Sequence, residues 1–313
     1  MTAIFNNEKI YGITFAPFAK RGTLTTKESK ESLKAMKERT NCNCVLLAPA
    51  AVQANAYATT IDYKSEYTLS DEEITDTVNY AKELGLKVVL KPTLNCLDGT
   101  WRAHINFFDE DVPCEPKWCD WFKAYTDFQM HYAKLANDIK VDMFIPGCEM
   151  VMTDRRQDEW RCLISKLREV YSGPISYNCD KYQEHNVKWW DCVDAISSSG
   201  YYPIYDWENQ LDRIEKVVKE FNKPFFFAEA GCMSVKDSNL VPNNWETTGA
   251  YDGQGQANWY KEMFSKCKER DFVQGMILWS WDADLYDEDH IKDFKDYNIY
   301  LKEAESIVSN WME

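Results

Sequence analysis

The chain alternates short, nearly continuous apolar runs with longer amphipathic stretches. The short runs have the length and bulk of strands buried on both faces, whereas the longer stretches repeat apolar residues at helical spacing. The stretch 207–221, for example, places Leu211, Ile214 and Val218 on one helical face. The predicted strands are 10–18, 44–49, 87–94, 143–149, 175–178, 195–201, 225–229 and 275–281. The predicted helices are 26–39, 70–85, 116–138, 154–171, 207–221, 256–270 and 298–311.

Local signals mark the ends of the first two predicted helices. Thr25 or Thr26 can accept a hydrogen bond from the first turn of the first helix. Ser70 and Glu73 have the spacing of a capping box, in which each satisfies a free backbone N–H of the other. Gly85 suits the left-handed conformation at which helices often end. The second helix is therefore expected to run between Ser70 and Gly85.

Eight strand-like runs, nearly all separated by helices, favour a parallel sheet closed into a (β/α)8 TIM barrel. A barrel of about 250 residues with insertions fits this length. The chain has 313 residues and no Pro/Gly/Ser-rich linker, so we expect a single domain over residues 1–313. Long loops at 50–68, 95–116 and 237–255 would form a substrate cleft. A doubly wound open sheet is the alternative, but the phosphate-binding fingerprint that it would need is missing.

The net charge and the cysteine content limit the possible binding partners and the cellular compartment of the protein. With 36 Lys and Arg against 51 Asp and Glu, the net charge is −15, which disfavours nucleic acid and anionic membranes as partners. The sequence also lacks an apolar run long enough to cross a bilayer. Eleven cysteines, an odd number, follow a polar stretch at residues 1–9. We therefore expect a cytoplasmic monomer with free thiols; a secreted enzyme without its signal peptide is the alternative.

The sequence indicates neither a metal nor an organic cofactor. The four histidines are scattered, and the pairs Cys42/Cys44 and Cys114/Cys119 lack the second half of a zinc motif. An acidic run from Asp282 to Asp289 has oxygen ligands of the kind that calcium binds. We favour a solvated loop for this run and expect no metal site.

Two of the predicted strands end in a glutamate, Glu149 and Glu229. A buried carboxylate is costly unless it has a partner or a function. The carboxyl ends of barrel strands meet on one face, where the active site of such barrels lies. The two carboxylates would then lie about 5 Å apart, the separation found in retaining glycosidases. The alternative is a pair of structural glutamates neutralised by Lys or Arg.

Other residues at the strand ends suit a neutral ligand rich in hydroxyl groups. Tyr201 is predicted to donate a hydrogen bond that keeps the nucleophilic carboxylate ionised and oriented. Tryptophan rings in loops can stack on the C–H faces of sugars, although each can equally cap the barrel. The strand-end candidates are Lys91, Asn95, Asn178, Tyr201, Tyr202, Trp279 and Trp281. The tryptophans in probable loops are Trp101, Trp118, Trp189, Trp190, Trp207, Trp245 and Trp281.

Four segments resemble glycoside hydrolase family 113, which belongs to the large superfamily of retaining (β/α)8 glycosidases and contains β-1,4-mannanases. They are Gly12-Ile13-Thr14-Phe15, Lys91-Pro92, Asp98-Gly99-Thr100-Trp101-Arg102 and Phe144-Ile145-Pro146-Gly147-Cys148-Glu149. The segment from Asp98 to Arg102 is the most specific of the four. The resemblance extends over nearly the whole chain, from about residue 10 to residue 311.

The resemblance implies that Glu149 is the acid/base and Glu229 the nucleophile of a retaining double displacement. The expected substrates are mannan, glucomannan or manno-oligosaccharides, cleaved at β-1,4-mannosidic linkages. Cys148 stands where much of the superfamily has a sugar-binding Asn. The implied sugar contacts are Lys91, Asn95, Trp101, Arg102, Asn178, Tyr201, Trp279 and Trp281. The alternatives are a xylanase or glucanase, an exo-acting β-mannosidase, and a carbohydrate-binding barrel without activity.

Overall fold

A computed structural model describes residues 8–313, and eight parallel strands in it form one barrel. Residues 1–7, which belong to the predicted domain and to the polar N-terminal stretch, lie outside the described residues. The strands are β1 (Ile10–Phe15), β2 (Cys44–Leu47), β3 (Ala50–Gln53), β4 (Lys87–Leu90), β5 (Thr93–Cys96), β6 (Met143–Phe144), β7 (Ser176–Cys179), β8 (Ala195–Ser199), β9 (Phe225–Glu229) and β10 (Val273–Trp281).

The barrel strands follow the order β6-β4-β2-β1-β10-β9-β8-β7, and every pair is parallel. Isolated parallel bridges from Phe144 to Ile175 and from Cys148 to Asn178 join β6 to β7, which brings the two ends of the sheet together. β3 and β5 form a separate parallel pair. The predicted (β/α)8 barrel is confirmed.

Among the described residues, seven α-helices surround the strands. They are α1 (Lys27–Thr40), α2 (Asp71–Glu83), α3 (Trp118–Asp138), α4 (Gln157–Val170), α5 (Trp207–Phe221), α6 (Gly253–Lys268) and α7 (Glu303–Met312). Turns and the short 3-10 helix Trp190–Cys192 join β7 to β8. Within residues 8–313 there is no helix that is both long and apolar enough to cross a membrane.

The predicted signals at the helix ends are present. Thr26 caps α1 by accepting a hydrogen bond from the backbone N–H of Ser29 at 3.1 Å. Ser70 and Glu73 form both hydrogen bonds of the capping box at the start of α2. Gly85 follows this helix with a φ of +79°, a backbone conformation that glycine adopts without a Cβ clash.

The strands are buried on both faces, and their side chains alternate between two cores. Phe225 and Phe227 of β9 pack with the aromatic residues beneath the surrounding helices. Phe226 and Ala228, at the alternate positions, belong to the cluster that fills the barrel interior. Glu229 follows this sequence at the carboxyl end of β9, so the buried strand fixes the position of its carboxylate.

Several predicted strands are shorter than expected, and proline accounts for two of them. The predicted strand 87–94 divides into β4 and β5 around Pro92, and the predicted strand 143–149 ends at Phe144, two residues before Pro146. Proline has no N–H to donate to a sheet. The residues after Pro146 are held differently: the N–H of Glu149 donates to the carbonyl of Asn178 at 2.8 Å.

The last predicted helix, 298–311, begins five residues late, at Glu303. The preceding residues are held by side-chain contacts instead. Asn298 donates to Asp282 Oδ2 at 2.7 Å, and the buried Lys302 ammonium lies 3.2 Å from Asp296 Oδ1. These contacts connect the segment to the loop after β10 and delay the start of α7.

Candidate active site

A cavity of about 500 Å³ opens at the carboxyl ends of the barrel strands, and Glu149 and Glu229 both line it. The predicted residues Asn95, Trp101, Arg102, Tyr201 and Trp279 line it as well. The remaining lining residues are Pro17, Phe18, Ala48, Thr93, Asp180, Lys181, Asn243 and Trp245. Acid, base, amide and aromatic groups therefore surround one space, as a polyhydroxylated ligand requires.

Glu229 is held as an ionised carboxylate by a cation beneath it. The ammonium of Lys91 contacts Oε1, and its side chain is fully buried. The hydroxyl of Tyr201 donates to Oε2 at 3.0 Å. Burial on its own raises the pKa of Glu229, but Lys91 and then Arg102 favour the charged form, and the pKa lies below its ordinary value. At neutral pH this carboxylate is a base and a potential nucleophile.

Asn178 fixes the position of Lys91 from the adjacent side of the barrel. Its Oδ1 accepts from the ammonium of Lys91 at 2.8 Å. Its Nδ2 donates to the Ser199 hydroxyl and to the Cys179 carbonyl, each at 3.0 Å. Because the amide is fully buried and all these partners are fixed by strands, Lys91 is held in one place under the carboxylate.

The Cys148 thiol also contacts Glu229. Its Sγ lies 3.1 Å from Glu229 Oε1 and 3.6 Å from Asn178 Oδ1. Burial raises the pKa of this thiol well above its ordinary value, and the charge of Glu229 adds to the effect. The group is thus a neutral S–H, a weak donor directed at a carboxylate.

Glu149 has the opposite electrostatic environment. Burial raises its pKa to about 7, and the negative charges of Glu229 and then Asp180 contribute in the same direction. Ser199 donates to its Oε1 at 2.8 Å. Its backbone has a φ of +54°, which turns the chain just after the bridge between Cys148 and Asn178. Glu149 therefore holds a proton near neutral pH while Glu229 does not.

Two carboxyl groups with proton affinities this different can act as an acid and a nucleophile on one substrate. Among residues 8–313, no group of three or more His, Cys, Asp or Glu side chains has an arrangement that could hold a metal ion.

The sequence model of Glycoside Hydrolase Family 113 matches residues 13–302. The chain belongs to glycoside hydrolase family 113. A solved structure described as a family 113 β-1,4-mannanase is 50% identical, with a TM-score of 0.96, over 97% of this chain and 99% of that chain. The family 113 β-mannanase from Alicyclobacillus acidocaldarius, solved in complex with ManMIm, is 37% identical, with a TM-score of 0.95, over 99% of both chains.

More distant structures share the fold alone. A β-glucuronidase from Ruminococcus gnavus is 15% identical, with a TM-score of 0.67, over 98% of this chain and 51% of that chain. No curated protein sequence matches this glycoside hydrolase significantly. The fold, the family and the glycosidase class are thus established by the family match and by the full-length structural relatives.

Two predicted sugar contacts need correction, because their side chains do not reach the cavity of this family 113 enzyme. Tyr202 is fully buried, and its hydroxyl contacts Glu184 Oε1 at 3.0 Å. The Trp281 indole is also fully buried, and its N–H donates to Ser32 of α1 at 3.0 Å. Both lie between the barrel and its helices, where a sugar cannot contact them.

Two further predicted contacts, Lys91 and Asn178, are buried beneath the cavity and contact Glu229 directly or through each other. Of the loop tryptophans, Trp101 and Trp245 are exposed at the cavity, whereas the others are buried. The buried ones are Trp118, Trp189, Trp190, Trp207 and Trp281.

The prediction missed several residues that line the cavity or contact its carboxylates. Phe18 was not predicted; it and the loop tryptophan Trp245 lie against Trp279, with ring centroids 5.8 and 6.1 Å away, and form an aromatic wall. Asp180 lines the cavity beside Glu149, and Ser199 donates a hydrogen bond to Glu149. Asp180 could have been predicted from its position, because it comes just after a predicted strand and two residues after the candidate Asn178.

Proposed function

We propose that this glycoside hydrolase cleaves internal β-1,4-mannosidic bonds by double displacement, with Glu229 as nucleophile and Glu149 as acid/base. The observation that carries the proposal is the pair of carboxyl groups with opposite proton affinities at one cavity. The substrate follows from the two full-length relatives, which are described as a β-1,4-mannanase and a β-mannanase.

In the first step Glu229 attacks the anomeric carbon, and Glu149 gives its proton to the leaving oxygen. A covalent glycosyl-enzyme and a shortened chain result. Lys91 and Tyr201, which contact the two oxygens of Glu229, keep this carboxylate ionised and oriented before the attack. Their positions allow the reaction to begin without reorganisation of the site.

In the second step Glu149, now ionised, takes a proton from water, and the water oxygen attacks the anomeric carbon. Glu229 leaves as a carboxylate, so the product keeps the configuration of the substrate. The aromatic side chains of Trp101 and of the wall formed by Phe18, Trp245 and Trp279 offer faces for several sugar units. Binding of several units supports internal cleavage.

The test is product analysis on mannan, glucomannan, xylan, cellulose, β-glucan and mannohexaose. We expect oligosaccharides from the two mannans, internal cuts in mannohexaose, and β-anomers as the first products by NMR. Release of single mannose units from one chain end would show exo action and would contradict internal cleavage. Cleavage confined to xylan or glucan would overturn the substrate, and inactivity on all six would favour a binding protein.

The pH profile follows from the two carboxyl groups. We expect kcat/KM on mannohexaose to fall above pH of about 7, because Glu149 then loses its acid proton. In acid, activity should persist below the ordinary pKa of a glutamate, since the pKa of Glu229 is lowered. Preincubation at each pH, followed by assay at pH 6, separates titration from unfolding. A flat profile from pH 6 to 9 would contradict the assignment of Glu149.

We also propose that the enzyme acts inside the cell on imported manno-oligosaccharides. All eleven cysteines are free thiols, which suits a reducing compartment. Immunodetection in fractions of the source cells tests this location. Recovery of the enzyme mainly from the medium, without cell lysis, would contradict it.

A further inference from the structure

Asp180 is a third carboxylate at the cavity, on the same side as Glu149. It directly follows β7, lines the cavity and is 6% exposed. The bridge from Cys148 to Asn178 joins the segment that carries Glu149 to β7, which Asp180 directly follows. Each carboxylate follows its bridged residue by one or two positions, so the two lie at adjacent strand ends. Neither step of the double displacement uses Asp180.

Lys181 is the cation next to Asp180. Its ammonium lies 3.5 Å from Asp180 Oδ1 and 6.0 Å from the centre of the Tyr182 ring. Lys181 lines the same cavity. At 3.5 Å and beside an open cavity, this ion pair neutralises the Asp180 charge only in part.

Charged and titratable groups from several elements act on this corner of the site. Glu229 of β9 and Asp180 both disfavour the ionised form of Glu149, whereas Arg102 favours it. Burial raises the pKa of Asp180 above its ordinary value, and Glu184 adds to the effect, whereas Lys181 opposes it. The phenols of Tyr201 and Tyr297 face Glu149 as neutral groups, because burial raises the pKa of each. Asp180 and Lys181 are thus a charged pair that can be altered without touching Glu229.

Glu229 and Asp180 differ in what happens to them during turnover. When Glu229 bonds to the anomeric carbon, its negative charge is lost and its effect on Glu149 ends. Asp180 forms no bond to the substrate, so neither step consumes its charge. Of the two carboxylates that disfavour ionisation of Glu149, Asp180 is therefore the one that still acts when Glu149 must accept a proton from water.

We propose that Asp180, with Lys181 as its counter-ion, is a positioning residue that acts through Glu149 and strengthens its hold on the catalytic proton in both steps. The inference rests on the proposed function, because it requires Glu149 to be the acid/base. The proposal predicts opposite effects from the two residues of the pair. Replacement of Asp180 by a neutral residue weakens the hold of Glu149 on its proton, and replacement of Lys181 by a neutral residue strengthens it.

The test compares the pH dependence of kcat/KM for wild type, Asp180→Asn and Lys181→Met on mannohexaose. We expect the alkaline limb to move down by about half a pH unit or more in Asp180→Asn, and up in Lys181→Met. The acidic limb, which Glu229 sets, should stay in place. If the two residues had only a structural role, the alkaline limb would not move in opposite directions in Asp180→Asn and Lys181→Met.

A dinitrophenyl β-mannobioside provides the control, because its leaving group departs without a proton from Glu149. With this substrate the alkaline limb of kcat/KM should coincide in all three enzymes. Equal alkaline limbs on mannohexaose, or shifts in the same direction, would overturn the inference. If Asp180→Asn does not fold, the upward shift in Lys181→Met decides alone. Failure of the proposed function is distinct: the wild type itself would then leave mannohexaose uncut.

Discussion

Replacement of Glu229 by alanine is expected to lower kcat on mannan by roughly 10⁵-fold, because the double displacement loses its nucleophile. Azide should restore part of the turnover on a dinitrophenyl β-mannobioside. The anion would fill the space left by the carboxylate and attack the anomeric carbon from the same face. The product would be an α-mannosyl azide, inverted relative to the substrate, which NMR identifies.

The controls for this experiment address folding, because removal of Glu229 leaves the buried Lys91 ammonium without its carboxylate. Glu229→Gln keeps the volume of the side chain and should be similarly inactive, with a circular dichroism spectrum like that of the wild type. Glu220→Ala changes an exposed glutamate of α5 and should keep full activity. Near-normal turnover in Glu229→Ala, or an azide product of retained configuration, would rule out Glu229 as the nucleophile.

The positions of the two catalytic candidates were predictable because each follows a buried run. β9 has the predicted bounds, Phe225–Glu229, since three phenylalanines in succession can be buried only where both faces are covered. The carboxyl end of a barrel strand then leads to the active-site face. The same argument placed Glu149, although the ladder of β6 stops five residues earlier at Phe144.

The direction of each side chain was less predictable than the position of the strand end. Trp279 and Trp281 both come at the end of β10, yet one lines the cavity and the other hydrogen-bonds to α1. Tyr201 and Tyr202 also point to different sides, as neighbouring positions do, but the two tryptophans are two positions apart and would share a face in a regular strand. A strand pattern gives the alternation of faces, but the face that meets the cavity depends on the local register where the strand ends.

Most long-range electrostatic contacts of the site could not be predicted from the sequence, although the hydrogen bond from Tyr201 to Glu229 was. Lys91 was expected to contact sugar, but it lies under Glu229 and is separated from it by 138 positions in the chain. Asp180 was missed because its closeness to Glu149 depends on the bridge between Cys148 and Asn178. Motifs identify such residues one at a time, whereas their pairing requires the closed barrel.

Replacement of Lys91 by methionine is expected to cost about 3–5 kcal/mol of unfolding free energy, because the carboxylate of Glu229 stays buried without its cation. The loss should be measured by urea denaturation. The pKa of Glu229 should rise, and kcat at pH 6 should fall roughly a hundredfold or more. A stability loss under 1 kcal/mol would contradict the role of this ion pair.

The pH dependence of the stability loss gives the sign of the effect. In the wild type the pKa of Glu229 is lowered by folding, so the ion pair contributes fully above the unfolded value of about 4.3. The contribution is lost as the pH falls through the folded pKa. The difference between wild type and Lys91→Met should therefore be largest near neutral pH and shrink in acid.

The double variant Lys91→Met/Glu229→Gln separates stability from catalysis. Removal of both charges leaves neither member of this pair as an unpaired ion, so most of the unfolding free energy should return. Activity should not return, since the nucleophile is absent. Recovery of stability without activity would show that Lys91 acts through the charge of Glu229. A double variant as unstable as Lys91→Met would instead assign the loss to packing of the lysine stem and its hydrogen bond to Asn178.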